Sequence, residues 1–457
     1  MVILPLGVVM YFIISKTGKQ ALVYIAILGF LLITSEWNDL FRKIAIFGGT
    51  AVLSYLAFFK SFYEKRKLKP VPKDITAFAV FVLVTSAISS ILSINPAMGF
   101  NAVIKQAFFY YLVFLIYQIS YDYDSMKMLS AITFITALAV TAGTLVMFLS
   151  LGWAAILSAD AGLRTSGVYE NINAAGSIVA LGTVVLLGYL FTFGSKAEKK
   201  YKYLSYFILL LFTAALLITN SRASFLLVGF TVIMFVIIFK RHLVKYGAAG
   251  LLLLAFILAI SPQLDEIIEV YLRLDRIMNI RDILWRMSFD AIADNPVWGI
   301  GPDVFKEYFY KYLPVMMGSY PESKVRYLYE VAGTSGLSHN FLLYRFTELG
   351  IPGLISALWL PFLYFRYGLT AYDVTKERDP QKAKFILVLF LMGIGIFLRS
   401  AFESIGIMTY GWIMLDLPFW FFFVILVNYS QPDYSPADTV KGAPSENESQ
   451  SPSPANQ

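Results

Sequence analysis

Residues 338–353 read SHNFLLYRFTELGIPG, and they place one of the chain's two histidines at the mouth of an apolar run that continues from Leu354 to Leu363. Ser338 is the expected N-cap, and Phe341, Leu342, Leu343, Tyr344 and Phe346 begin a stretch long enough to cross a bilayer. His339 therefore falls at a membrane surface. Pro352 has no N–H to return to the carbonyl of Glu348, and with Gly350 and Gly353 beside it the helix is expected to kink there. Nine residues turn an ideal helix about two and a half times, so Glu348 lies on the face opposite His339 and the two do not form a simple acid–base pair.

The rest of the chain is built from similar runs. Of 457 residues, 58% are hydrophobic, 16% aromatic and only 15% charged, with a mean hydropathy of +0.67. A soluble domain carries roughly 25% charged residues, so the composition excludes one. Apolar runs fall at 3–15, 21–34, 43–60, 76–92, 102–120, 128–150, 173–193, 203–219, 223–239, 246–262, 339–368, 384–402 and 406–428. The expected fold is an all-α polytopic membrane protein with about 12–13 transmembrane helices, the first run being short enough to be half-inserted, and a long, partly helical outer loop.

Its expected divisions are N-terminal transmembrane helices (1–150), helices carrying outer-face arginine motifs (151–262), the outer loop (263–338), C-terminal helices (339–428) and a disordered cytoplasmic tail (429–457) rich in Pro, Ser, Asn, Glu and Gln. No basic residue precedes the N-terminal apolar core, which reads as a retained helix and not a cleaved signal.

The net charge of +7 does not point to nucleic acid. Lys and Arg cluster at 16–19, 60–73, 196–202, 240–245 and 366–384, all on one side if each run crosses once, and the positive-inside rule makes that side cytoplasmic. The segment 263–338 on the other side holds 11 Asp and Glu against 8 Lys and Arg, so it is not a misplaced basic loop. Ile267, Ile268, Tyr271, Leu274 and Ile277 recur at helical spacing there, a second helix is expected over Arg281–Ala293 before Asn295-Pro296, and a third after Gly301-Pro302. The absence of cysteine excludes disulfides and thiolate chemistry.

Several polar residues stand out against this apolar background. Arg222 sits in the turn between two runs, where a guanidinium either snorkels or meets an anion. Arg164 lies in the loop AGLRTSGVYENINAAG ahead of Asn171 and Asn173; Gly, Asn and Ser there are also ordinary turn chemistry. Arg281 and Trp285 share a helix face, as an internal cation–π pair or as a cation beside a sugar-stacking ring. His339 is either a satisfied interfacial residue or the outer-face group that takes a proton near neutral pH unaided. His242, among Lys240, Arg241 and Lys245, reads as a bystander. Asp122 and Asp124 form a D-x-D pair on the cytoplasmic side, an unsuitable place for a nucleotide-sugar metal. Lys105 lies within a run, Arg399 and Glu403 are read as a structural pair one turn apart, and Asp416 falls near the middle of the last run with no partner in view. No metal-ligand spacing, phosphate loop or G-x-S-x-G is present on the outer face.

Four stretches in order, RTSGVYENINAAG from Arg164, TNSRASFLLVGF from Thr219, RDILWRMSFDAIADNPVWGIGPDVF from Arg281 and SHNFLLYRFTELGIPG from Ser338, resemble the O-antigen ligase and O-antigen polymerase family of bacterial membrane glycosyltransferases. The resemblance covers roughly residues 150–370; Ser-Arg-Ala stands where Ser-Arg-Gly is commoner in the family.

The resemblance implies a multi-pass protein of the bacterial inner membrane whose active site faces the periplasm. It further implies a glycan donor on undecaprenyl diphosphate, a sugar hydroxyl as acceptor (on lipid A-core or another polysaccharide), inversion at the anomeric carbon, and no metal or other cofactor. Carried over by position, His339 is the general base, Arg222 and Arg281 bind the diphosphate with Arg164 and Lys105 in support, and Trp285, Asn340 and Glu348 are sugar-contacting or structural motif residues. Ligase and polymerase remain alternatives within the family. A transporter or flippase of lipid-linked sugar is the alternative outside it, against which stands the absence of any internal repeat.

Overall fold

The computed structural model describes residues 20–34, 39–63, 67–121, 124–152, 164–247, 249–250, 280–330, 338–410 and 412–434. The expected span at 3–15, most of the run 246–262, the loop helix over Ile267–Ile277, Asp122 and the tail beyond Tyr434 lie outside the described residues.

The architecture is all-helical, and the described residues contain no strand, only an isolated bridge between Met317 and Tyr320. The chain runs through α1 (Gln20–Ile33), α2 (Gly49–Tyr63), α3 (Lys73–Leu92), α4 (Pro96–Tyr121), α5 (Ser125–Ser150), α6 (Ile172–Phe193), α7 (Lys199–Thr219) and α8 (Arg222–Phe239). A unit that lies outside the helix bundle, here called the outer unit, follows with α9 (Arg281–Asp294) and α10 (Glu322–Glu330). The chain then re-enters the bundle as α11 (Phe341–Arg378), α12 (Pro380–Arg399) and α13 (Ile413–Tyr429). Among the described residues eight of these, α3 to α8 with α11 and α12, are long and apolar enough to cross a membrane, and three shorter apolar helices lie within α1, near α2 and within α13.

Which helix is central follows from composition. α13 is apolar all round, and from Leu415 to Tyr429 every residue is buried, against α1, α4, α5, α11 and α12. α7 instead exposes Tyr203, Leu204, Phe207 and Leu210. In a membrane protein such a face meets lipid.

The expected run 406–428 begins its helix only at Ile413. Residues 403–410 are almost wholly buried without being helical, so the chain dips into the bundle as an irregular segment. Backbone of that kind survives at membrane depth only when protein satisfies its polar groups. Asp416, expected mid-helix and unpartnered, is in the first turn of α13 and does much of this work. Its carboxylate accepts from the Gly406 amide at 2.7 Å, from the Thr409 hydroxyl at 3.0 Å and from the Thr409 amide. Trp420 Nε1 adds a bond to the Ile407 carbonyl at 2.8 Å.

The basic links gather at one end of the bundle. Lys196 Nζ reaches Gln381 at 2.9 Å, and Arg366 reaches Asp74 at 2.8 Å. Asp124 is also at that end, capping α5 through the Lys127 amide and accepting from Tyr429 at 2.9 Å, a structural role.

At the opposite end the outer unit has its own core, including Ile283, Met287, Phe305, Phe309, Leu313 and Val325. The expected second helix is α9, ending before Asn295; the third is a broken series over Phe305–Met316, and α10 is an additional element. This unit is locked to α11 through backbone. The Ile300 amide bonds Thr347 O at 3.1 Å, Gly301 N bonds Glu348 O at 3.0 Å, and Ile351 N bonds Pro296 O at 3.0 Å. These bonds explain the kink: Gly350, at φ 63 and ψ −149, breaks the helix, and the Glu348 carbonyl that Pro352 cannot serve is taken by Gly301 N and by Ser89 Oγ at 2.9 Å. A Cβ on Gly350 would overlap the Val297 carbonyl, and one on Gly299 the carbonyl of Glu348. The Pro-x-x-Gly-x-Gly and Glu-x-Gly motifs are two halves of one joint.

Candidate active site

At the end of the bundle remote from the basic links, four chain segments meet. The first is the loop before α6, where Asn171 caps the helix by accepting from Asn173 N at 2.9 Å and Ala174 N at 3.2 Å. The second is the turn between α7 and α8, with Asn220 in the left-handed region at φ 43. These two segments are close because Gly176 lets α6 approach: a Cβ there would sit 2.8 Å from Ser221 Cβ. Arg164 joins them, donating from Nε to the Thr219 carbonyl at 2.7 Å and from Nη2 to Asn173 Oδ1 at 3.3 Å. Arg222 is half-buried as the first residue of α8, on the turn that Arg164 holds.

The third segment carries His339. Asn340, not Ser338, is the N-cap of α11, accepting from Leu343 N at 3.0 Å, while the Ser338 hydroxyl donates to Asn340 O. The residue before the cap, His339, takes φ 51, a left-handed conformation that costs a non-glycine residue about 1–3 kcal/mol and persists only where surroundings impose it. Here the fourth segment imposes it. Phe341 N bonds Ser400 O at 2.9 Å, and Asn340 Nδ2 bonds Ala401 O at 3.1 Å.

Two residues after Ala401 is Glu403, and its Oε1 lies 3.0 Å from His339 Nδ1. Its Oε2 lies 3.5 Å from Asn173 Nδ2, which closes a chain His339–Glu403–Asn173–Arg164–Thr219 across all four segments. Arg399 and Glu403, expected as a pair one turn apart, interact through their charges and not by a direct contact among the described residues. Arg399 Nη1 turns to the Ile405 carbonyl at 3.0 Å, because beyond Arg399 the chain leaves the helix and the one-turn spacing no longer holds.

Glu403 lies outside the spanning helices and its side chain is 2% exposed. Burial works against its charge, yet the charge and hydrogen bond of His339, with the guanidiniums of Arg399 and Arg281, hold its pKa down to about 2. An ionised carboxylate accepts and cannot donate, so Nδ1 carries the hydrogen of this contact. The ring is 24% exposed. The contact orients a partly exposed imidazole.

Arg281 opens α9 and acts electrostatically on Glu403, and its Nε is buried without a hydrogen-bond partner. Of the two readings of Arg281 and Trp285, the internal cation–π contact is not formed among the described residues, and Trp285 Nε1 has no hydrogen-bond partner there. Lys105 is not brought to this cluster by any bond; its ammonium lies 3.8 Å from Asp303 in the joint below. Glu348 is also in the joint, fully buried, accepting from Asp303 N at 2.9 Å. His242 takes no part. Among the described residues no three histidine or carboxylate groups gather as a metal site.

Fold and site together define an all-helical, multi-pass membrane protein with an imidazole–carboxylate pair and several guanidiniums at one end. Residues 206–358 match the family model described as O-antigen ligase, a span that holds Arg222, Arg281 and His339 and leaves Arg164, Asn173 and Glu403 outside. On that segment the chain is similar to the O-antigen ligase family, which groups ligase- and polymerase-type glycosyltransferases. No curated protein matches the chain.

Glu403 is the residue that sequence reasoning missed. The available signal was a carboxylate just past the end of an apolar run, in LRSAFES, at the same membrane face as His339.

Proposed function

We propose that this protein transfers a glycan from undecaprenyl diphosphate to the hydroxyl of an acceptor sugar, at the outer face of the bacterial plasma membrane. The observation that carries this reading is the 3.0 Å contact of His339 with a Glu403 held ionised by that histidine and by the guanidiniums of Arg399 and Arg281. Nε2 of His339 takes the proton of the acceptor hydroxyl. The oxygen attacks the anomeric carbon from the face opposite the diphosphate, the new C–O bond forms as the old one breaks, and configuration inverts. The departing diphosphate carries the negative charge. Arg222 and Arg281 meet that charge where water is scarce and guanidinium–phosphate bonds are strong, and no step calls on a metal.

Arg164 acts one step back in this scheme, since its donors are engaged with Thr219 and Asn173 and thereby fix the turn that carries Arg222. The outer-face placement rests on the gathering of the basic links at the other end of the bundle.

The test is transfer by the purified protein from an undecaprenyl-diphosphate glycan, with EDTA present, to lipid A-core in one assay and to a second undecaprenyl-linked glycan in the other. Product in either assay, lost in His339→Ala with the protein still inserted, is the expected result; the productive acceptor separates ligase from polymerase. Wild-type rates in His339→Ala, or activity abolished by EDTA, would overturn the mechanism.

A further inference from the structure

The carboxylate that orients His339 sits in a loop closed by a buried cation. α12 ends at Arg399, which is 3% exposed, and the chain turns back at once, Phe402 N bonding Arg399 O at 2.9 Å. The guanidinium crosses the turn: Nη1 donates to the Ile405 carbonyl at 3.0 Å, which encloses residues 400–404 with Glu403 among them. Gly406 leaves room for the crossing. It has φ 100, and a Cβ there would sit 2.6 Å from Arg399 Nη1, while its amide donates to Asp416 of α13 at 2.7 Å.

Two features connect Arg399 to the site. First, the enclosed loop docks on the mouth of α11: Ser400 O and Ala401 O accept from Phe341 N and Asn340 Nδ2, and Glu403 accepts from His339 Nδ1. Opening the loop at Ile405 therefore frees the carboxylate from the ring. Second, stability alone does not account for a cation here. The Ile405 carbonyl is its one hydrogen-bond partner among the described residues and its Nε is buried without any, whereas a buried ion can often be replaced by an apolar side chain of similar volume without loss. What an apolar side chain lacks is the charge that favours an ionised Glu403. The charged groups facing that carboxylate are His339 beside α11, Arg281 of α9 and Arg399 itself; Arg164 reaches it only through Asn173, and Asp416 faces Arg399 in turn.

We propose that Arg399 is a positioning residue for His339: it holds the loop 400–404 closed and keeps a cation behind Glu403, so that the carboxylate stays on Nδ1 of the ring. The proposal rests on the reading of His339 as the general base, and its test does not need transfer to occur.

The chain has two histidines, so nitrogen-15 NMR of the full protein in nanodiscs, labelled at histidine, reads His339 against the exposed His242. At about pH 9, where a free imidazole is neutral, the wild type should show His339 with its hydrogen on Nδ1 and His242 as an ordinary solvated ring. Arg399→Met, which keeps the bulk and drops the charge, should move His339 to the pattern of His242, lower kcat roughly tenfold and leave KM for the donor unchanged. Arg399→Lys should restore most of the Nδ1 signal and of kcat. Gly406→Ala keeps the charge and displaces the guanidinium from Ile405 O, so it should lose part of the signal; it carries the test if Arg399→Met does not insert. Wild-type Nδ1 signal in an inserted Arg399→Met or Gly406→Ala protein, or equal losses in the Met and Lys variants, would overturn the proposal. A wild type that shows the Nδ1 signal, loses it in Arg399→Met and transfers nothing would sink the transferase reading and leave the role of Arg399 standing.

Discussion

The first three turns of α11 lie beside two polar clusters that look alike in sequence and do opposite things in the fold. At His339 the polar groups form a chain that ends on a partly exposed ring. At Glu348, nine residues on, the carboxylate is fully buried, one oxygen accepting a backbone amide and the other unpaired. Arg345 beside it is also fully buried, donating to the Tyr410 hydroxyl at 2.6 Å with its Nε and Nη2 unpartnered. A polar group that reaches solvent at a helix mouth is available for chemistry, whereas one sealed under a docked loop specifies where the loop sits.

That contrast sets the expected effects. His339→Ala should lower transfer by roughly 10²–10⁴-fold with the protein retained in the membrane, since general-base assistance is worth that much and the ring packs little. Glu348→Ala should instead reduce the amount of folded protein, because it removes the acceptor of Asp303 N inside a closed joint. Membrane yield and specific activity, measured together, separate the two; a Glu348→Ala protein with normal yield and no activity would erase the contrast.

Arg222→Ala and Arg281→Ala should each cost activity without loss of protein, with less than additive losses in the pair because both serve one anion. Lysine at either position should rescue in part, since it keeps the charge and gives up the planar fork. Full activity in the double Lys variant would place the diphosphate elsewhere.

Glu403→Gln should lower transfer roughly 10²-fold by releasing the ring and its tautomer. The pH dependence has a definite sign. Glu403 has a folded pKa of about 2 against an ordinary 4.5, so its contribution is in place above about pH 4.5 and declines as pH falls toward 2. Hydrogen exchange of residues 400–410 should show wild type more protected than Glu403→Gln at neutral pH, with the difference closing only in acid. A difference that closes near neutrality would mean the carboxylate is not held ionised.

Gly350→Ala should destabilise by about 1–3 kcal/mol, because alanine is strained at φ 63 and its Cβ meets Val297 O; thermal unfolding is the readout.

The smallest effect belongs to Asp294, whose carboxyl is held below its ordinary range by hydrogen bonds from Lys311 and Tyr312. Its contribution is present above the ordinary carboxylate range and lost as pH falls. Asp294→Asn should slightly raise hydrogen exchange in the outer unit at neutral pH and leave it unchanged in acid.

The fold was legible wherever a span's own composition fixed it. α3 to α8 follow the apolar runs closely, and the outer helix over Arg281–Asp294 ends at the Asn295-Pro296 that marks it. Legibility failed at 403–410, where apolar residues such as Ile405, Ile407 and Met408 extend the pattern of a helix. Hydropathy registers only burial there, and buried irregular backbone reads the same as buried helix. The cap misread at Ser338 has the same origin, since Ser and Asn are both good caps and a left-handed His339 decides between them.

From the sequence alone came the class of protein, the ordering of its spans, the basic end and the outer unit, and the identity of His339, Arg164, Arg222 and Arg281 as the polar residues to watch. These are local properties, set by transfer of side chains between water and lipid, and a one-dimensional pattern records them. The partner of His339, the displacement of Lys105 and Glu348 into the joint, and the irregular course of residues 403–410 were decided by tertiary structure. Each depends on bringing together groups far apart in the chain, Asn173 with Glu403 or Tyr110 with Met408, and packing of helices against one another is what brings them there.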